Sequence, residues 1–283
     1  MNIQEVEKVF EQHWQIGWGS ISASETLYIQ DLIARHAPHE FLEIGMASGI
    51  SGGLIAAILE ENGGGAFTSI DHDNSFFGDP SKENGFLIEK IYQGTRVTIE
   101  KLPFKTSVNL QEINKHYDMA FIDANHQHPW PLLDTLCLYP FMKGSKIVIH
   151  HDLNLYKKQR VVYGIGPKYL YDQFPATRKD RYAADLGNIF SIDLNIDRAT
   201  MEEIAIDTVL LPWSLRTPLS KTQLDGFRRT LSCHYSEDLL TVFEEATKRF
   251  NYRYSPQQEV VAEEANPHSS SWLTGLLRRG AKG

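Results

Sequence analysis

An α/β fold on a mostly parallel sheet is predicted for this chain of 283 residues. Short runs rich in β-branched and aromatic residues alternate with stretches of helical periodicity through the first two thirds, as strands joined by helical crossovers require. The first of these strands enters a turn carrying Gly45, Gly49, Gly52 and Gly53, which opens into a helix. Beyond residue 200 only helical patterns occur, so a C-terminal helical extension is expected after the sheet.

In chain order, residues 1–21 form a polar, helical N-terminal segment without the apolar stretch of a signal peptide. Ser22-Ala23-Ser24-Glu25 has the Ser and Glu spacing of a capping box, and Leu27, Leu32 and Ile33 supply the apolar positions of a helix running toward His36, which Pro38 stops. Strands are predicted at 40–44, 66–70, 96–100, 117–122 and 146–150, with helices at 51–61 and 130–141 between them. A long connection follows, then a final strand pair at 176–184 and 187–194 around the turn Asp185-Leu186-Gly187. Thr222 to Leu231 and Ser236 to Phe250 are helical, with Ser236 as an N-cap. The expected division is an N-terminal segment (1–21), an α/β domain (22–199), a helical extension (200–254) and a flexible tail (255–283), the last rich in Glu, Ser, Pro and Gly. Within that tail, 272–279 carries two basic residues, too few for a helix that binds a membrane surface.

A formal charge of −8 argues against nonspecific binding to nucleic acid or to an anionic membrane. No apolar run reaches the length of a membrane span, and the expected location is cytoplasmic. Cys137 and Cys233, far apart in sequence, exclude a disulfide framework and a thiolate zinc site, and each is expected to be a buried thiol.

The glycine turn lets backbone approach a nucleotide-like ligand. Glu43, just before Gly45, is awkward beside a pyrophosphate but suits a ligand bearing an amino group and a sulfonium, which favours S-adenosylmethionine over NAD. No G-x-x-x-x-G-K-[ST] element is present, so a P-loop hydrolase is disfavoured. Asp71 ends the second strand, where an acid at the sheet's carboxyl edge accepts ribose hydroxyls; its bland alternative is a turn-capping aspartate.

With F-L-E-I-G-M-A-S-G, S-I-D-H-D and Y-D-M-A-F-I-D-A-N-H in place, residues 22–195 resemble the class I S-adenosylmethionine-dependent methyltransferases. The resemblance implies a Rossmann-like sheet of seven strands with the last inserted antiparallel. It also implies cofactor contacts from Glu43, Gly45, Met46, Ala47, Ser48, Gly49 and Ser51 in the loop, from Asp71 and His72 beside the ribose, and from Asp123. The third motif, expected near Lys101 to Ser107, is degenerate and names no adenine contact.

The fourth strand ends in Ile122-Asp123-Ala124-Asn125-His126 and the fifth in His150-His151-Asp152-Leu153-Asn154, so Asp123 and Asp152 are expected to meet at the sheet edge beside the cofactor's methyl group. An alcohol is a poor nucleophile until deprotonated; His151 or His126 is the expected base. Asp123, Asp152 and Asn154 offer the oxygen ligands that magnesium (Mg2+) prefers. These elements look like those of the O-methyltransferases that act on catechols and sugars, whose metal ligands match Asp123 and Asp152; Leu153 departs from the usual adjacent pair. Structural readings stand beside these: Asp123 as a helix cap, His150 as a strand residue facing the interior, His128 as a loop residue.

The expected activity is methyl transfer to a hydroxyl of a small molecule or sugar, with a homo-oligomer left open and no nucleic-acid partner. Tyr156, Tyr163, Tyr169, Tyr171 and Phe174 lie where the acceptor's wall is expected. The alternatives are an NAD-dependent oxidoreductase, for which no Tyr-x-x-x-Lys site is evident, and a noncatalytic scaffold whose C-terminal helices bind a partner.

Overall fold

The computed structural model describes residues 1–16, 18–158, 163–182 and 187–254. Helix α1 (Ile3–His13) is capped by Asn2 and Glu5, and α2 (Ala23–His36) by the capping box of Ser22 and Glu25 expected from sequence. After a left-handed Ala37 the chain enters β1 (Glu40–Ile44), the glycine loop and α3 (Ile50–Glu61). There follow β2 (Gly65–Asp71), α4 (Ile88–Ile91), β3 (Val97–Pro103), α5 (Leu110–Ile113), β4 (Tyr117–Ile122), α6 (Trp130–Leu138) and β5 (Met142–His150). The helix expected to reach Phe141 gives way at Tyr139 to a tighter 3-10 turn, because Pro140 has no N–H to continue the ladder.

Seven strands pair in the order β3-β2-β1-β4-β5-β7-β6, where β6 is Lys179–Arg181 and β7 is Phe190–Asp193. The first five are mutually parallel, and β7 is inserted antiparallel between β5 and β6. The sheet is therefore Rossmann-like, as expected. The strand predicted over 176–184 is shorter: Ala176–Arg178 is a 3-10 turn, and Ala183 to Leu186, with most of the predicted turn, lie outside the described residues. Helix α7 (Gly166–Gln173), in the predicted long connection, and α8 (Arg198–Val209) are additions to the sequence reading. The hydrophobic pattern of α8 is too even to have marked a face. Helices α9 (Lys221–His234) and α10 (Glu237–Phe250) match it, the latter capped by Ser236. The tail at 255–283 and the segment 272–279 fall outside the described residues.

Strand alternation sends side chains to two cores. Leu42, Ile44, Ala120, Ile122, Val148, Phe190 and Ile192 pack against α6, α8, α9 and α10. Phe41, Phe67, Met119, Phe121, Ile147 and Ile149 pack on the other face against α2 and α3. A third cluster, with Val6, Trp18, Ile50, Leu54, Phe76 and Leu87, fastens α1 and the segment after β2 onto α3. Cys137 is buried in the first core, whereas Cys233 is exposed on α9, contrary to the expectation of two buried thiols. Among the described residues no helix is long and apolar enough to cross a membrane.

Candidate active site

The strand order reverses between β1 and β4, and there the carboxyl ends of neighbouring strands diverge to leave a crevice. A cleft of about 800 Å³ opens at this point, floored by Ile44, Gly45, Ala47 and Asp123. Asp71, His72 and the segment around Phe76 and Phe77 flank it on one side. Lys105, Thr106, Trp130, Asp134, Gln223, Tyr163 and Leu155 line it elsewhere.

The glycines of the loop answer first to the protein's own packing. A Cβ on Gly45, whose φ is +102°, would lie 2.2 Å from the Asp123 carbonyl oxygen, so glycine lets β1 and β4 close together at their ends. A Cβ on Gly49 would strike Ile88 at 2.7 Å and Gly85 at 2.8 Å, so this glycine seats the segment before α4. Ala47 takes a left-handed φ of 44° between them and faces the cleft. Met46 and Ser48 are buried; the Met46 sulfur packs under Gly85, and the Ser48 carbonyl accepts from the Leu87 N–H.

Glu43 lies beneath the loop rather than in the cleft wall. It shares the face of β1 with Phe41, which turns it under α3, and it is fully buried. Ser51 Oγ donates to one carboxyl oxygen at 2.6 Å and Ser69 Oγ to the other at 2.5 Å. Burial pushes the carboxyl up to about 8, overriding the two hydroxyls that favour its charge.

Asp71 stands at the end of β2 and faces the cleft. Its Oδ2 accepts the backbone N–H groups of Met46 (2.9 Å) and Ala47 (3.3 Å), and its Oδ1 lies 3.1 Å from His72 Nδ1. Burial alone would raise its pKa, but His72 and the N–H groups of Asp73, Ala47 and Met46 hold it below the usual carboxylate value. The acid therefore pins the loop while lining the cleft, and the ring of His72 is largely exposed beside it.

At the ends of β4 and β5 the fold brings Asp123, His126, His151 and Asp152 together, their donor atoms within 4.8 Å of one another. His126 Nε2 lies 3.1 Å from Asp123 Oδ1 and 3.4 Å from Asp152 Oδ2; His151 Nδ1 lies 3.3 Å from Asp123 Oδ1. His151 Nε2 faces Glu25 Oε2 at 3.4 Å, an ion-pair distance longer than a good hydrogen bond. Burial would lower His151, yet the surrounding Asp123, Glu25 and Asp152 raise it well above its ordinary value. Conversely, burial would raise Asp123, and the two imidazoles hold it far below the carboxylate range. Glu25 is lowered by the same contacts against its burial. Asp152 adopts a left-handed φ of 61°, and its Oδ1 accepts from Asn188 Nδ2 at 2.7 Å.

Asn154 is engaged at the entry of β7. Its side-chain amide donates to the Gly187 carbonyl at 2.7 Å, and its N–H to Asn188 Oδ1, so it ties the chain to the entry of β7. The donor set is thus two carboxylates and two imidazoles. Spacings of 3.1–3.7 Å between these atoms match ligands that share an ion at about 2.0–2.2 Å. The carboxylates suit a hard divalent cation, and the imidazoles extend the fit to manganese, iron or zinc.

His150 is buried, stacks on Phe190 at 5.2 Å and lies 3.1 Å from Thr135 Oγ1; burial pushes it down to about 3 and keeps it neutral. It is the interior strand residue expected. His128 is fully buried and edge-on to Tyr169, also pushed down to about 3. Of the aromatic residues expected in the acceptor's wall, Tyr163 lines the cleft, Tyr171 packs on Phe190 and Phe174 is buried in the core. Glu25 and Asp134 escaped the sequence reading. Glu25 already had an explanation as a capping residue, whereas Asp134 left a signal, a lone acid in the apolar run Trp-Pro-Leu-Leu-Asp-Thr-Leu-Cys-Leu.

The model of a protein family described as a methyltransferase domain matches residues 42–153. No curated protein matches the chain. Among solved structures, an O-methyltransferase from Bacillus cereus in complex with SAH shares 14% identity over 67% of this chain and 90% of its own, with a TM-score of 0.49. The O-methyltransferase TomG from Streptomyces achromogenes, involved in tomaymycin synthesis and solved with SAM, shares 15% over 68% and 88%, with a TM-score of 0.47. The SAH-bound methyltransferase PaMTH1 of Podospora anserina shares 15% over 68% and 86%, also at 0.47. Residues 42–153, from the first strand of the sheet to the acid cluster after the fifth, are thus the part of this chain that is similar to a methyltransferase domain.

Proposed function

We propose that this enzyme methylates a hydroxyl of a small molecule or sugar, with a divalent metal held at the ends of β4 and β5. The observation that carries this reading is the position of His126, which lines the cleft while its Nε2 faces both Asp123 and Asp152. S-adenosylmethionine supplies a methyl group made electrophilic by its sulfonium. Gly45, Ala47 and Asp71 form the wall along which its methionine and ribose portions lie, and Asp123 stands where that wall meets the acceptor side. Asp123, Asp152 and His151 would hold the metal, and a magnesium or manganese ion, when bound there, would lower the acceptor's pKa. Glu25 orients His151 from behind, as outer carboxylates orient metal-bound imidazoles.

With His126 Nε2 donating toward the carboxylates, Nδ1 is the basic nitrogen and takes the acceptor's proton as the oxygen attacks. Calorimetric titration with S-adenosylhomocysteine tests the cofactor assignment. Mass spectrometry of a metabolite extract incubated with enzyme and methyl-labelled cofactor, with and without magnesium or manganese, tests the transfer. Labelled products that disappear in Asp123→Ala and Asp152→Ala support it; cofactor binding with no labelled product under any metal condition favours a noncatalytic scaffold.

A further inference from the structure

Asp134 stands in the cleft wall with no part in the transfer described above. It is only 3% exposed and is the one charged residue of α6, between Trp130 and Leu138. Its Oδ1 accepts from Ser107 Oγ at 2.6 Å, and the other carboxyl oxygen has no hydrogen-bond partner among the described residues. Burial pushes the group up to about 7. This second oxygen is not sealed off from the cleft, so a ligand N–H can reach it there.

The position of this corner says which ligand atom it meets. Ser107 opens the 3-10 turn after β3, and two residues earlier the Lys105 N–H donates to the Asp71 carbonyl at 2.8 Å. The corner therefore adjoins the end of β2, whereas the carboxylate and imidazole cluster sits at β4 and β5 on the other side of β1. In an adenosyl sulfonium the base and the sulfur leave opposite ends of the ribose. With the ribose at Asp71 and the sulfur toward Asp123, the base extends to the β3 side. Trp130, one turn before Asp134, lines the same corner, and α9 closes it with Gln223, packed so tightly that a Cβ on Gly226 would lie 3.2 Å from Val108.

We propose that Asp134 reads the adenine base of the cofactor, its free carboxyl oxygen accepting the 6-amino group in a corner walled by Trp130 and α9. This assignment rests on the methyl-transfer reading and deepens it. It makes α9 part of the cofactor site.

The test compares S-adenosylhomocysteine with S-inosylhomocysteine, whose 6-oxo group presents an acceptor where adenine presents a donor. Calorimetry on the full chain is expected to show the adenosyl compound binding about tenfold more tightly or better, the scale of one hydrogen bond to a buried acid. In Asp134→Asn, whose amide offers a donor as well as an acceptor, the preference is expected to fall to about threefold or less, with the melting temperature recording that the variant is folded. Should that variant not fold, Asp134→Ser, which keeps a hydroxyl for Ser107, is measured in the same way. Equal binding of the two compounds by the unaltered protein overturns the proposal, as does a preference that survives in the folded variant. Failure of the unaltered protein to bind either compound removes the methyl-transfer reading itself, and this proposal with it.

Discussion

Glu43→Gln probes the buried carboxyl beneath the glycine loop without changing its shape. The carboxyl has a raised value of about 8 against an ordinary 4.5. Below 4.5 both folded and unfolded chains hold the proton. Between the two values the unfolded chain releases a proton that the folded chain keeps, so stability falls as pH rises and levels off above the folded value. The full difference corresponds to about 5 kcal/mol, of which about 4 kcal/mol falls between about pH 5 and about pH 9. Glutamine has no proton to lose and still offers a carbonyl and an amide to Ser51 and Ser69. Urea unfolding of both proteins across this range is therefore expected to show the variant gaining on the parent by about 4 kcal/mol as pH rises. Parallel stability curves would refute the reasoning, because they would mean that Glu43 is ionised in the fold much as it is in water.

Two further perturbations test the neighbouring geometry. Gly45→Ala places a methyl group 2.2 Å from the Asp123 carbonyl oxygen at a φ of +102°; a loss of about 2–4 kcal/mol in stability, with weakened binding of S-adenosylhomocysteine, is expected from denaturation and calorimetry, and an unchanged melting temperature would contradict it. His126→Gln leaves the loop untouched and is expected to lower kcat by about 10²–10⁴ while S-adenosylhomocysteine binds as before; a kcat near that of the parent would remove His126 from the role of base.

The succession of strands, the glycine loop and the acids at strand ends were all legible in the sequence, because they depend on local spacing. A strand's alternation, a capping box such as Ser22 and Glu25, and a Gly-rich strand-to-helix turn are each written in a few consecutive residues. Even the approach of Asp123 to Asp152 followed from parallel neighbours ending at one edge. Helix α8 escaped because its evenly spread apolar positions acquire a direction only when α6, α7 and α10 pack against it.

What only the tertiary structure decided is where each polar side chain finds its partner. Glu43 reads as a ligand for the cofactor's charge until the pleat of β1 turns it under α3 and onto Ser51 and Ser69. Asn154 reads from the sequence as a metal ligand, and the insertion of β7 brings Gly187 to its side-chain amide and Asn188 to its backbone N–H. Glu25, nearly a hundred residues or more from the groups it faces, joins His151 because α2 packs across the same sheet edge. Local periodicity specifies which face a residue occupies, but a hydrogen bond or ion pair extends only about 3–4 Å, and at that range the partner is chosen by how distant segments are stacked.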